Sequence, residues 1–238
     1  MPAIAIETSG YVLHARAWRE TSLLLECFTP GQGRVGLVAR GVRGARSRGG
    51  GRAALEPFHL LALDFLLRGE LGTLTAVEAG VPLPLAGDAL LAGLYLNELT
   101  VRLSGRQDPH PALFAAYGEA LVRLSAGATL GWTLRRFERD LLGTLGYAPQ
   151  LEREVDDGAP VLPEATYVYL PEYGPQRWHG QPGVRVSGAA LLALASDREP
   201  DAAAQAELRR LLRSLIGAVL GGSELRSRRV LGDALRGR

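Results

Sequence analysis

The sequence predicts an α+β fold: a small N-terminal β-barrel followed by a mostly helical region. Three observations carry this expectation. Up to Val81, short apolar runs alternate with polar residues and are broken by glycine turns, the pattern of strands. After Val81-Pro82-Leu83-Pro84 the apolar residues recur at every third and fourth position, the period of helices. With 238 residues and 47% hydrophobic content, the chain is long enough for one or two buried cores.

The strands come first. Tyr11, Leu13 and Ala15 alternate with Val12, His14 and Arg16, and Ser22–Phe28 follows, ended by Thr29-Pro30-Gly31. Arg34–Ala39 is the third run, and Phe58–Leu67 and Leu71–Val81 flank the turn Arg68-Gly69-Glu70. Five short strands in so little chain are most economically an OB-fold barrel, with a long insertion from Gly41 to Pro57. Residues 1–81 therefore read as an OB-fold nucleic-acid-binding domain and 82–238 as a helical domain.

In the helical part, Leu90, Leu91, Leu94, Tyr95, Leu99 and Leu103 share one face of a helix from about Gly87 to Ser104. Pro111 opens a second helix with Phe114, Tyr117, Leu121 and Leu124 inward, and a third runs from about Leu130 to Leu145. An irregular, proline- and glycine-rich insertion spans about 148–186, with strand-like pieces at Thr166–Leu170 and Val184–Val186. Ser187 is placed to cap a short helix through Ala195. A last long helix runs from about Ala202 to Leu220, burying Leu208, Leu211, Leu212, Leu215 and Val219, and Ser223 is placed to cap a further one.

Charge is unevenly spread. From Cys27 to Leu55 there are six arginines (Arg34, Arg40, Arg43, Arg46, Arg48, Arg52), eight glycines and no acidic residue. The whole chain is only +2, so the remainder is −4. All 27 basic residues are arginine, a permanently charged planar fork suited to phosphate. Composition alone also fits a solvated basic loop. The functional reading is a phosphate-tracking surface for single-stranded nucleic acid. The barrel holds only Tyr11, Trp18, Phe28, Phe58 and Phe65 for base stacking, and several of these must be core, so binding is expected to be backbone-dominated.

Other chemistry is poorly supported. Gly31-Gln-Gly33-Arg-Val-Gly36 matches G-x-G-x-x-G, but a strand rather than a helix follows, so no helix dipole faces a pyrophosphate. His14, His59, His110 and His179 have no ligand spacing, and Glu154, Asp156 and Asp157 form a loop cluster without a second acidic group. No catalytic constellation and no cofactor or metal are expected. The lone Cys27 excludes an intramolecular disulfide. With no signal-like N-terminus and no long apolar run, a soluble, cytoplasmic protein without membrane contact is expected. Arg135 and Arg136, inside an apolar helix, read either as salt-bridged surface residues or as a cationic rim over a groove for an acidic peptide.

Several stretches carry a resemblance. Gly10–Leu25, Phe28-Thr29, Gly33-Arg34-Val35 and Val38–Arg43 resemble the start of the bacterial RecO family of recombination mediators. Leu94-Tyr95-Leu96-Asn97-Glu98-Leu99, Leu134–Glu138 with Leu141-Leu142 and Leu145-Gly146-Tyr147, and Leu220-Gly221-Gly222 with Leu225–Arg228 continue it in order. The resemblance implies a non-enzymatic protein that binds single- and double-stranded DNA and anneals complementary strands. It also implies work with RecR, binding to the acidic C-terminal tail of SSB, and help in loading the recombinase RecA. The six arginines would then be the DNA surface, and Arg135 and Arg136 the SSB-tail site. The alternative is a protein-interaction adaptor with incidental DNA contact. Many family members carry two C-x-x-C pairs that bind zinc. Here the first would align with Glu154 and Asp157 and the second near Arg177 to Pro182, without cysteine. No structural zinc is expected, the insertion being held by its own packing.

Overall fold

The computed structural model describes residues 3–43, 53–222 and 224–227. Five strands, β1 (Ile4–Trp18), β2 (Ser22–Thr29), β3 (Gly33–Ala39), β4 (His59–Arg68) and β5 (Leu71–Pro82), close into a barrel in the order β1-β2-β3-β5-β4. All neighbours are antiparallel except β3 and β5, which pair parallel through Gly36–Val38 and Leu71–Thr73. This is the expected OB-like barrel.

β1 is much longer than the alternation around Tyr11 suggests. Its first half, Ile4–Gly10, pairs with β4, and its second half, from Tyr11, pairs with β2. One strand therefore serves two edges and closes the barrel. Gly10 sits at the change of partner, where a Cβ would lie 2.7 Å from Leu63 Cδ1. Val12, Leu25, Cys27, Val35, Leu37, Leu61, Leu63 and Phe65 fill the interior. Burial, with Glu26 beside it in sequence, pushes the Cys27 thiol well above its ordinary pKa, so it is an inert core residue.

Two helices, α1 (Gly87–Leu103) and α2 (Pro111–Ser125), belong with the barrel to one compact unit that runs to Ala126 and takes in Ser227. Tyr11 and Phe28 of the barrel meet Phe114 and Tyr117 of α2 with ring centroids 5.0–6.1 Å apart. Asn97 of α1 is buried among them. Its Nδ2 donates to the Leu13 carbonyl at 2.9 Å, and its Oδ1 accepts from the Tyr117 hydroxyl at 2.5 Å. The buried face of α1 is accordingly Ala92, Tyr95, Leu96, Asn97, Leu99 and Thr100. Leu90 and Leu94, expected inward, are exposed, because the polar Asn97 and Thr100 take the inner stripe with hydrogen bonds of their own.

The second compact unit covers Gly127–Arg226. It holds α3 (Leu130–Thr144), a three-stranded antiparallel sheet with β6 (Thr166–Leu170) between β7 (Gly174–Arg177) and β8 (Val184–Ser187), then α4 (Gly188–Ala195) and α5 (Ala202–Val219). Ser187 Oγ accepts from the Ala190 N–H, capping α4, and Asp201 does the same for α5 through Ala204. α5 buries Leu208, Leu211, Leu212, Leu215 and Ile216, while Val219, expected inward, is only partly buried. Among the described residues, no helix is long and apolar enough to cross a membrane. The cap expected at Ser223 lies outside the described residues.

Candidate nucleic-acid interface

β3 delivers the basic segment to one end of the barrel. It ends at Ala39, paired with Leu23, and Arg40 follows on an exposed position. The chain is then pinned to the β1–β2 turn: the Arg43 N–H donates to the Thr21 carbonyl at 2.9 Å, and its Nη1 donates to the Arg19 carbonyl at 3.3 Å. Arg43 and Arg19 are both exposed, and Arg19 sits in the turn with φ 52°. Register puts Arg16, Leu24 and Val38 in one row across three strands. Arg40, two residues past Val38, leaves on the face Arg16 occupies, by the alternation of a strand. Exposed Arg16, Arg19, Arg40 and Arg43 thus gather around one barrel end, with Glu20 the nearby acid in the turn.

Arg16 and Arg19 escaped the sequence reading because they lie outside the glycine-arginine run. The signal available was a basic residue on either side of Trp18 before a turn. Of the five barrel aromatics, Tyr11, Phe28, Phe58 and Phe65 are buried and Trp18 alone is partly exposed. Trp18 opposes Ser22 at the foot of this same face. Arg46, Arg48 and Arg52 lie outside the described residues.

Arg34 has a different situation. Its Nη1 meets Glu26 Oε1 at 2.6 Å, and its Nε and Nη2 both donate to the Ser104 carbonyl, at 3.1 and 2.9 Å. Arg106 takes the other oxygen of Glu26 at 2.6 Å. Burial lowers the Arg34 pKa from the usual guanidinium value, Glu26 opposing and Arg106 adding to it. Its donors join β3 to the end of α1, and its charge is already met by Glu26.

Arg135 and Arg136 form no open cationic rim. Arg135, with its side chain 8% exposed, is paired with Glu138 at 2.6 Å. Arg136 pairs with Asp197, which also receives Arg139 Nη1 at 3.3 Å. Arg139 further donates to the Leu194 carbonyl at 2.7 Å. Burial works against its charge, but the hydrogen bonds and charges of Asp140 and Asp197 outweigh it and raise its pKa. Arg136 and Arg139 tie α3 to the end of α4, while Arg135 is paired within α3.

In the insertion, Glu154 is buried and its Oε1 accepts from the Tyr167 hydroxyl at 3.0 Å and from Arg177 Nη2 at 2.6 Å. Arg177 also lies over the Tyr167 ring, 5.3 Å from its centroid. Asp157 is turned to the Ala159 N–H at 2.9 Å. These residues do not fit a zinc ion, since a guanidinium already occupies the carboxylate that would have to bind it. Among the described residues, no three His, Cys, Asp or Glu side chains gather as metal ligands.

A closed five-stranded OB-like barrel with an arginine-lined end, continued by helices, defines an OB-fold protein of the α+β class. The family model described as "Recombination protein O N terminal" matches residues 1–80, and "Recombination protein O C terminal" matches 84–229. The chain belongs to the recombination protein O (RecO) family. It is 49% identical over 226 residues, 93% of this chain and 94% of the relative, to the DNA repair protein RecO of Stenotrophomonas maltophilia strain R551-3. The protein of the same name from Xanthomonas oryzae pv. oryzae strain PXO99A is 47% identical over 235 residues, 96% of this chain and 97% of the relative.

Proposed function

We propose that this protein is a non-enzymatic, cytoplasmic DNA-binding mediator of recombinational repair. It anneals complementary strands and helps load recombinase onto SSB-coated single strands. The observation that carries this reading is the group of exposed arginines around one end of an OB barrel, Arg16, Arg19, Arg40 and Arg43, in a chain of the RecO family. Annealing requires charge neutralisation, so that two polyanions can approach, and little stacking, so that bases stay free to pair. The exposed arginines serve the first need, and a barrel whose aromatics are almost all spent on packing serves the second.

The division proposed is a DNA-binding domain at 1–81 and a helical domain at 82–238 that carries the zinc-less insertion, with α1 and α2 belonging to the barrel's compact unit. Arg40, Arg43, Arg46, Arg48 and Arg52 are proposed phosphate contacts, joined by Arg16 and Arg19. Arg34 supports the site by holding β3 to Ser104. Partners proposed from family membership are single- and double-stranded DNA, RecR and the SSB tail. An SSB-tail contact at Arg136 would proceed by exchange of the Asp197 carboxylate for one of the tail.

The test is binding of a labelled single-stranded oligonucleotide across a salt series, with annealing rates measured beside it. Arg40→Ala with Arg43→Ala should flatten the slope of log K against log salt by about 1.4, at about 0.7 for each single-strand phosphate no longer neutralised, and slow annealing. Unchanged slope and rate would remove these two residues from the site.

A further inference from the structure

The second compact unit has a basic surface of its own. α5 turns Leu208, Leu211, Leu212, Leu215 and Ile216 inward and leaves Arg209, Arg210 and Arg213 exposed. Arg209 and Arg213 are one turn apart and Arg210 is beside them, a like-charge spacing that weakens a helix. Nothing on the helix relieves it. Glu207, the only carboxylate within α5, is turned to Ser187, accepting from its N–H at 2.9 Å and its hydroxyl at 2.7 Å.

The unit's other cations behave differently. From Arg135 to Arg198, each engages a carboxylate, a carbonyl, a hydroxyl or an indole ring. Among the described residues, Arg209, Arg210 and Arg213 enter no ion pair. Small residues accompany them: Ala202, Ala203 and Ala218 are exposed, and Ala206 and Gly217 partly so. Small side chains there let a charged backbone approach the helix closely.

We propose that the outer face of α5 is a second phosphate-contacting surface, which takes the backbone of single-stranded DNA. The proposal rests on the DNA-binding reading above. It supplies what a strand-pairing protein needs: phosphate contacts on both compact units, so that one polyanion is neutralised at the barrel and another at α5.

The experiment uses the full chain, an oligo(dT) probe and a salt series. Arg209→Ala, Arg210→Ala and Arg213→Ala together should make the slope of log K against log salt shallower by about 2 and slow annealing. The matching triple lysine variant keeps the charge and should restore the slope. Alanine is a better helix former and the repulsion disappears, so the melting temperature of the alanine variant should not fall, which separates a binding defect from a folding defect.

A slope and annealing rate equal to wild type overturn the proposal. So does a variant with unchanged DNA binding that loses a labelled acidic peptide, because the surface would then serve a protein. If Arg40→Ala with Arg43→Ala weakens binding while the α5 variant does not, this inference fails and the barrel site stands. If the wild-type chain shows no salt-dependent DNA binding, both fail.

Discussion

At the residue scale, the barrel and its two helices meet on one buried polar side chain, Asn97. Asn97 receives the Tyr117 hydroxyl and donates to the Leu13 carbonyl, so one side chain holds α1, α2 and β1 together. Asn97→Leu removes both bonds and leaves a buried carbonyl and a buried phenol without that partner. Losing a buried hydrogen-bond partner costs about 1–3 kcal/mol, so the variant should lose about that much in urea unfolding. The motif Leu94–Leu99 was legible in the sequence as a resemblance, but its physical reason was not. Helical periodicity counts apolar residues and has no means of seeing that an asparagine belongs inside. Glu98 beside it accepts from the Ser227 N–H at 2.7 Å and from its hydroxyl, which joins two of the stretches that carried the resemblance.

Elements were legible where their boundaries are chemical. α4 begins after Ser187 and α5 after Asp201, because each side chain caps the N–H three residues on. The five barrel strands were legible from alternation and glycine turns, whereas the first half of β1 was not. Ile4–Gly10 pairs only with β4, far along the chain, and no local pattern reports a distant partner. β7 was missed because Gly174-Pro175 opens it, and proline is poor strand material except at an edge, which is where β7 lies. The glycines of the G-x-G-x-x-G match belong to the β2–β3 hairpin. Gly33 has φ +62°, and a Cβ there would collide with the Asp108 carbonyl oxygen. Gly33→Ala is therefore strained twice, by backbone and by contact. It should lower the melting temperature more than Gly31→Ala, whose Cβ meets nothing within 4 Å. Equal drops in a thermal melt would count against this register of hairpin and 104–108 segment.

On the scale of the whole molecule, the site was half legible. A basic run shows where cations concentrate, but only three dimensions separate Arg34, held by Glu26 and Ser104, from Arg40 and Arg43, which stay exposed. The same economy governs the aromatics: tyrosines sit in the cores of both units, which makes stability depend on alkaline pH. Burial raises the pKa of Tyr11 and Tyr117 above 10.0 in the first unit, and in the second it pushes Tyr169 up to about 12. Above pH 10 the unfolded chain releases phenolic protons that the folded chain keeps, so the unfolded state binds fewer protons and the stability of the fold decreases as pH rises. The contribution is complete below pH 10 and is lost across the interval from 10 to about 12. Urea midpoints should be flat from pH 7 to 9 and decline beyond 10. Phenolate absorbance should rise together with unfolding for the buried tyrosines. Phenolate formed in full while circular dichroism still reports the native fold would show that Tyr117 and Tyr169 are not held in dry cores.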